Sequence, residues 1–136
     1  MSVLTELQEM HTYKRPAGSP TEALFIARYV ASLSGAYQDN AGNWHVVTDP
    51  SSRTLWSCHT DTVHWDDGRQ TLHFDKATGI LALSRRSRKT SDCLGADDTV
   101  GVFLMRQMIL ANVPGHYMFH YAEERGGIGS STFAGI

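Results

Sequence analysis

The stretch Tyr121-Ala122-Glu123-Glu124-Arg125-Gly126-Gly127-Ile128-Gly129-Ser130 decides how this chain is read. The apolar run from Tyr117 to Ala122 predicts a buried strand, and it ends at two adjacent acids followed by three glycines within four residues. Open α/β sheets place their chemistry at such a point, where a strand's C-terminal end meets a glycine-rich turn. Neighbouring glutamates repel each other, and a metal cation compensates them economically, with one Glu as ligand and the other free to move protons. Taken alone, Glu-Glu reads more simply as a solvated acidic turn. Residues upstream change that reading.

Working back, Val100 to Asn112 predicts a mostly buried helix through Val102, Phe103, Met105, Arg106, Ile109 and Leu110. Asp97 and Asp98 stand at its start, where the helix dipole favours an anion. Thr54 to Cys58 predicts an apolar strand running into His59-Thr60-Asp61. Residues i and i+2 of an extended segment share a side, so Asp61 can accept the second ring N–H of His59, fix its tautomer and strengthen it as a metal ligand. Nitrogen and oxygen donors in this mix suit Zn2+, and Mn2+ or Co2+ are also compatible.

The rest of the chain frames these segments. Ser2 to Thr12 predicts a short amphipathic helix with Leu4, Leu7, Gln8 and His11 on one face. Ser19-Pro20-Thr21-Glu22 predicts a helix start, with Ser19 as N-cap, Pro20 at the first helical position and Glu22 closing a capping box. That helix is expected to reach Leu33 and to bury Leu24, Ala27, Ala31 and Tyr29 or Val30. Two hairpins are expected, one joining Tyr37 to Trp44–Thr48 and one joining Leu72–Phe74 to Ile80–Leu83. Gly129 to Thr132 reads as another helix start. A strand–helix–strand unit in the second half predicts an α/β fold: a mixed, partly parallel sheet flanked by helices, in a single domain over residues 1–136.

Composition excludes several functional classes. A net charge of −2 gives no electrostatic case for nucleic acid. The basic run Arg85 to Lys89 has no aromatic residue interleaved and reads as a solvated loop. No apolar segment approaches the ~18 residues that span a bilayer. The N-terminus has no signal-peptide pattern. Two cysteines make no disulfide framework, so a cytoplasmic location is expected. Cys58 reads as a small buried residue; as a strand neighbour of His59 it faces the other way, against a catalytic pair. His116 and His120 read as packing residues, and His45, His64 and His73 have no partner spacing.

Together, Cys58-His59-Thr60-Asp61, Gly95-Ala96-Asp97-Asp98 and Ala122-Glu123-Glu124-Arg125-Gly126-Gly127-Ile128-Gly129-Ser130 resemble the three ordered motifs of the co-catalytic (di-zinc) exopeptidase and amidohydrolase superfamily. Arg15 to Glu22 also resembles the start of such catalytic domains, and the resemblance covers the chain from about Leu7 onward. It implies a hydrolase of the aminopeptidase or carboxypeptidase type, cleaving a peptide or an acylated amino acid with two zinc ions. His59 would bind one zinc, Asp97 bridge both and Glu124 bind the second. Glu123 would be the general base and Asp61 the partner of His59. A cis peptide bond is expected between Asp97 and Asp98.

The resemblance is also incomplete. Each metal in this superfamily takes a further ligand from later in the chain, an acid for one and a histidine for the other, whereas Ser130 to Ile136 contains neither. Three readings are open: a fragment of a longer protein, one half of a site completed by a second chain or a copy of itself, and a degenerate domain that keeps the fold. The first two expect association through an exposed sheet edge. The third makes the chain a non-catalytic interaction or assembly domain.

Overall fold

The computed structural model describes residues 2–133. Its centre is a four-stranded sheet built from β2 (Tyr37–Gln38), β3 (Trp44–Val47), β4 (Leu55–His59) and β8 (His116–His120), in the order β2-β3-β8-β4. β8 lies between β3, to which it is antiparallel, and β4, to which it is parallel, so the sheet is mixed as expected. The parallel register places His59 beside His120, bringing the C-terminal ends of β4 and β8 to one edge. Two small antiparallel pairs flank the sheet: β1 (Tyr13–Lys14) with β5 (Gly68–Arg69), and the hairpin β6 (Leu72–Asp75) with β7 (Ile80–Leu83).

Helices α1 (Val3–Met10), α2 (Pro20–Tyr29), α3 (Ala96–Leu110) and the short α4 (Ile128–Thr132) complete the chain. Tyr117 and Phe119 of β8 enter a core with Met10, Tyr13, Phe25, Tyr29, Val30, Val46, Val102 and Met105, while Met118 is buried on the opposite pleat. Tyr13, Phe25 and Tyr29 form an aromatic trio with ring centroids 4.9 to 5.8 Å apart. Each such buried ring contributes about 1.5–3 kcal/mol of transfer free energy. Among the described residues no helix is long and apolar enough to cross a membrane.

Several expectations are corrected. α2 ends at Tyr29 rather than Leu33, and its buried face carries Thr21, Glu22, Phe25 and Tyr29. Leu24 is exposed, as is Ala27. The larger aromatic rings take the interior, turning Leu24 and Ala27 outward and leaving Ala31 half-buried, while Tyr29 and Val30 are buried as expected. Ser19 caps the Glu22 N–H as expected, but Glu22 accepts from Gly18 N–H at 2.8 Å and from the Thr60 hydroxyl at 2.9 Å instead of closing the box on Ser19. Met10 at the end of α1 and His11 just after it are buried, and Leu4 is exposed. On α3, Leu110 is exposed. β8 stops at His120, two residues before the expected end, because side-chain bonds from Asn43 replace the ladder at Tyr121. The helix start expected at Gly129–Thr132 is α4, while Ala134 to Ile136, named with it in the sequence pattern, lie outside the described residues.

Candidate metal centre

His59 closes β4, Asp97 lies just before the regular part of α3, and Glu123 and Glu124 follow the end of β8. Parallel pairing of β4 with β8 brings the first and last of these segments together. His59 Nε2 lies 3.0 Å from Asp97 Oδ1, 3.5 Å from Glu123 Oε2 and 3.8 Å from Glu124 Oε1. His59, Glu123 and Glu124 each offer one donor atom within 4.8 Å of the others, and they are the one such His/Cys/Asp/Glu group among the described residues. Asp97 meets His59 but stands outside that trio, with its side chain 84% exposed.

Asp61 has a larger structural task than the sequence indicates. The shorter bond from His59 Nδ1–H goes to the Asp61 main-chain carbonyl at 2.8 Å, with Asp61 Oδ1 at 3.2 Å. The tautomer is thereby fixed with Nε2 toward the acids. Both Asp61 carboxylate oxygens are occupied by the Glu123 and Glu124 main-chain N–H groups, each at 3.0 Å. The side chain is fully buried. Burial alone would raise its pKa, but the His59 bond and the two N–H donors hold it below the usual carboxylate range.

The turn that presents Glu123 and Glu124 is built by Ala122, Asn43 and Gly129. Ala122 adopts a left-handed conformation at φ 51°, reversing the chain out of β8. Asn43 is buried, accepts from Tyr121 N–H at 2.9 Å and donates to the Gly129 carbonyl at 2.9 Å. Position 129 must be glycine, since a Cβ there would lie 2.1 Å from Asn43 Oδ1 and 2.6 Å from the Tyr121 carbonyl.

At the third segment the Asp97–Asp98 peptide bond is cis, as expected. Asp97 and Asp98 have non-helical dihedrals, and Asp98 rather than Asp97 caps α3, accepting from Gly101 N–H at 3.0 Å. Burial raises the Asp98 pKa against the opposing charge of His59.

These side chains fit a cation by the chemistry of the donor set. Burial lowers the His59 pKa, but its bonds to Asp61 and Asp97 and the surrounding carboxylates reverse this and push it up to about 9. Burial, and then the neighbouring Glu123 charge, raise the Glu124 pKa. The cluster therefore draws positive charge to the point where the trio converges, either as the proton on His59 Nε2 or as a cation that displaces it.

Other expected residues fall elsewhere. Cys58 is buried, with burial holding its thiol pKa well above the usual value. Arg85, Arg86, Arg88 and Lys89 are exposed, and Arg85 and Arg88 lie on the rim of a groove against the β6–β7 hairpin that none of the motif residues line. His45 does have partners, hidden from sequence spacing by the hairpin: it donates to Asp39 Oδ2 at 2.7 Å and lies 2.8 Å from His116 Nε2. His64 is buried between Thr62 and the Cys93 carbonyl. His120 Nδ1 is buried with no hydrogen-bond partner among the described residues.

The fold is that of two solved peptidases. The chain superposes on a tripeptidase from Staphylococcus aureus with a TM-score of 0.71 and 20% sequence identity, covering 97% of this chain and 39% of that one. On an aminoacylhistidine dipeptidase from Vibrio alginolyticus the TM-score is 0.65 at 12% identity, covering 96% of this chain and 29% of that one. The chain thus spans about a third of the length of these neighbours. Neither a protein-family model nor a curated protein sequence matches it.

Proposed function

We propose that this chain supplies the first part of a co-catalytic zinc hydrolase centre that cleaves a peptide or amide bond. The reading is carried by the convergence of the Glu123 and Glu124 carboxylates on His59 Nε2, within a fold otherwise found in a tripeptidase and a dipeptidase. His59 and Glu124 are assigned as ligands of separate zinc ions and Asp97 as the bridge. Bound there, zinc supplies Lewis acidity toward the scissile carbonyl and makes water acidic enough to act near neutral pH.

The remaining work falls to side chains of this chain. Glu123, half exposed at the edge of the trio, takes a proton from the attacking water and passes it to the leaving amine. Asp61 orients His59 through Nδ1 and holds the Glu123–Glu124 backbone in register. A peptide or acylated amino acid is the proposed substrate. The proposed domain includes residues 1–136, and the further ligands come from beyond them, on continuing chain, on a copy of this chain or on a second chain.

Glu123→Ala tests the division of labour between the two glutamates. Turnover of a peptide substrate by the assembled enzyme is expected to fall at least ~100-fold with zinc content nearly intact. Loss of metal in parallel with activity would make Glu123 a ligand. No zinc bound by the wild-type chain under metal-replete conditions would favour a non-catalytic assembly domain.

A further inference from the structure

Arg15 is among the least exposed side chains of the molecule, at 0%, yet it carries a guanidinium. Its Nε donates to the Thr60 carbonyl at 2.7 Å, and Nη2 donates to the Thr99 hydroxyl at 2.7 Å. Nη1 reaches the carbonyls of Tyr13 at 3.3 Å and Met10 at 3.4 Å. The guanidinium carbon lies 3.8 Å from the centroid of the Phe25 ring. Its main chain holds the same strand end, since Arg15 N–H donates to the Thr62 hydroxyl at 3.0 Å and the Arg15 carbonyl accepts from Thr62 N–H at 2.8 Å.

These partners occupy particular places around the centre. Thr60 separates His59 from Asp61, and Thr99 directly follows Asp97-Asp98. One rigid fork therefore ties the segment carrying the imidazole to the segment carrying the exposed carboxylate. Among the described residues no carboxylate forms a direct ion pair with Arg15, although Glu22, Asp61 and Asp98 act on it from a distance. Burial lowers its pKa to about 10 against the pull of those acids. A buried cation without a contacting counter-ion is a poor device for stability alone. Its planar donors suit setting the spacing of backbone segments that carry a site.

We propose that Arg15 is a positioning residue for the metal centre, fixing the β4 terminus against the start of α3 so that His59 and Asp97 meet. This inference rests on the metal reading of those residues. It assigns the charged residue at position 15 to the site, although Arg15 touches neither His59 nor Asp97.

Equilibrium Co2+ binding to the full chain, followed by visible d–d absorption, tests it with wild type, Arg15→Met and Arg15→Lys. Tyr29→Phe, which loses the hydroxyl bond to Glu9 away from the centre, serves as a destabilised control. Arg15→Met that retains a cooperative melt is expected to bind Co2+ at least tenfold more weakly with an altered band pattern. Arg15→Lys, which keeps the charge but loses the fork, is expected to fall between it and wild type, and it decides the matter if Arg15→Met does not fold. The Tyr29→Phe control is expected to bind as wild type does. Wild-type affinity and spectrum in a folded Arg15 variant would overturn the proposal, as would an equal loss in Tyr29→Phe. No uptake by wild type would instead remove the metal reading on which the proposal stands.

Discussion

Asp61 Oδ2 accepts the main-chain N–H of Glu124 at 3.0 Å across 63 residues of sequence. Oδ1 does the same for Glu123, so one buried carboxylate grips both acids of the turn by their backbone. The side chains of Glu123 and Glu124 are left free because the main chain is held.

Asp61→Asn preserves shape but offers one acceptor oxygen where two are needed, and it turns an amide N–H toward another N–H. Losing one charge-assisted bond in a buried site is expected to destabilise the chain by about 3 kcal/mol, read as a lower urea midpoint at unchanged slope. A change under 0.5 kcal/mol, on the order of an ordinary surface substitution, would contradict this grip.

Gly129→Ala puts a methyl group where Asn43 Oδ1 and the Tyr121 carbonyl already stand. The Asn43 bridge must open, leaving Tyr121 N–H and the Gly129 carbonyl without their partner, at about 2–3 kcal/mol. A lowered Tm in calorimetry is the readout. Asn43→Ala is expected to lose a similar amount, and the double variant less than the sum, because both changes break one bridge.

Zinc is expected to raise the Tm of the wild-type chain, and a chelator to reverse the rise, since ligand binding to the folded state alone stabilises it. Glu124→Gln is expected to cut zinc affinity by ~100-fold, equivalent to about 2.7 kcal/mol. Calorimetric titration measures it, and an unchanged affinity would remove Glu124 from the ligand set.

Asp39 carries a pH prediction. Burial acts to raise its pKa, but bonds from His45, Asn43 and Ala41 outweigh it and hold the carboxyl below its ordinary value. A carboxylate depressed in the folded state contributes stability above its unfolded pKa of about 3.9, and that contribution is lost as pH falls through the folded value. Asp39→Asn is expected to be less stable than wild type at pH 7 and to show a shallower loss between about pH 5 and pH 3 in urea unfolding. Parallel curves for the two proteins would contradict the assignment.

Sequence reading reached the sheet and the edge where the motif residues meet because strand periodicity, cap residues and acid pairs are local signals. Ser19, the Tyr37–Thr48 hairpin and the His59, Asp97 and Glu123–Glu124 segments were legible for that reason. Glu22, Asn43 and Arg15 were not. Each acts through partners 38 to 86 residues away, and no spacing rule encodes such a contact. Asp61 was read as a partner of His59, whereas its carboxylate also fastens a turn 62 residues later. On α2 the burial of Tyr29 and of the following Val30 was legible. Leu24 and Ala27 were misread as buried, because Leu24–Ala27–Ala31 and Phe25–Tyr29 both satisfy helical periodicity and only packing chooses between them.

β3 and β4 are consecutive in sequence yet do not pair; each bonds to opposite sides of β8, whose first residue pairs with a partner 61 positions earlier. Nothing made before His116 can join β4 to the β2–β3 hairpin, so a chain emerging from synthesis holds the two apart until β8 arrives. Such closure slows as the loop it must span lengthens, by about 0.6 kcal/mol of closure entropy per doubling. The strand that completes the hydrogen-bond ladder also delivers Glu123 and Glu124. The meeting of these carboxylates with His59 therefore has to wait for the sheet, and the chain cannot present the three side chains together while half-made.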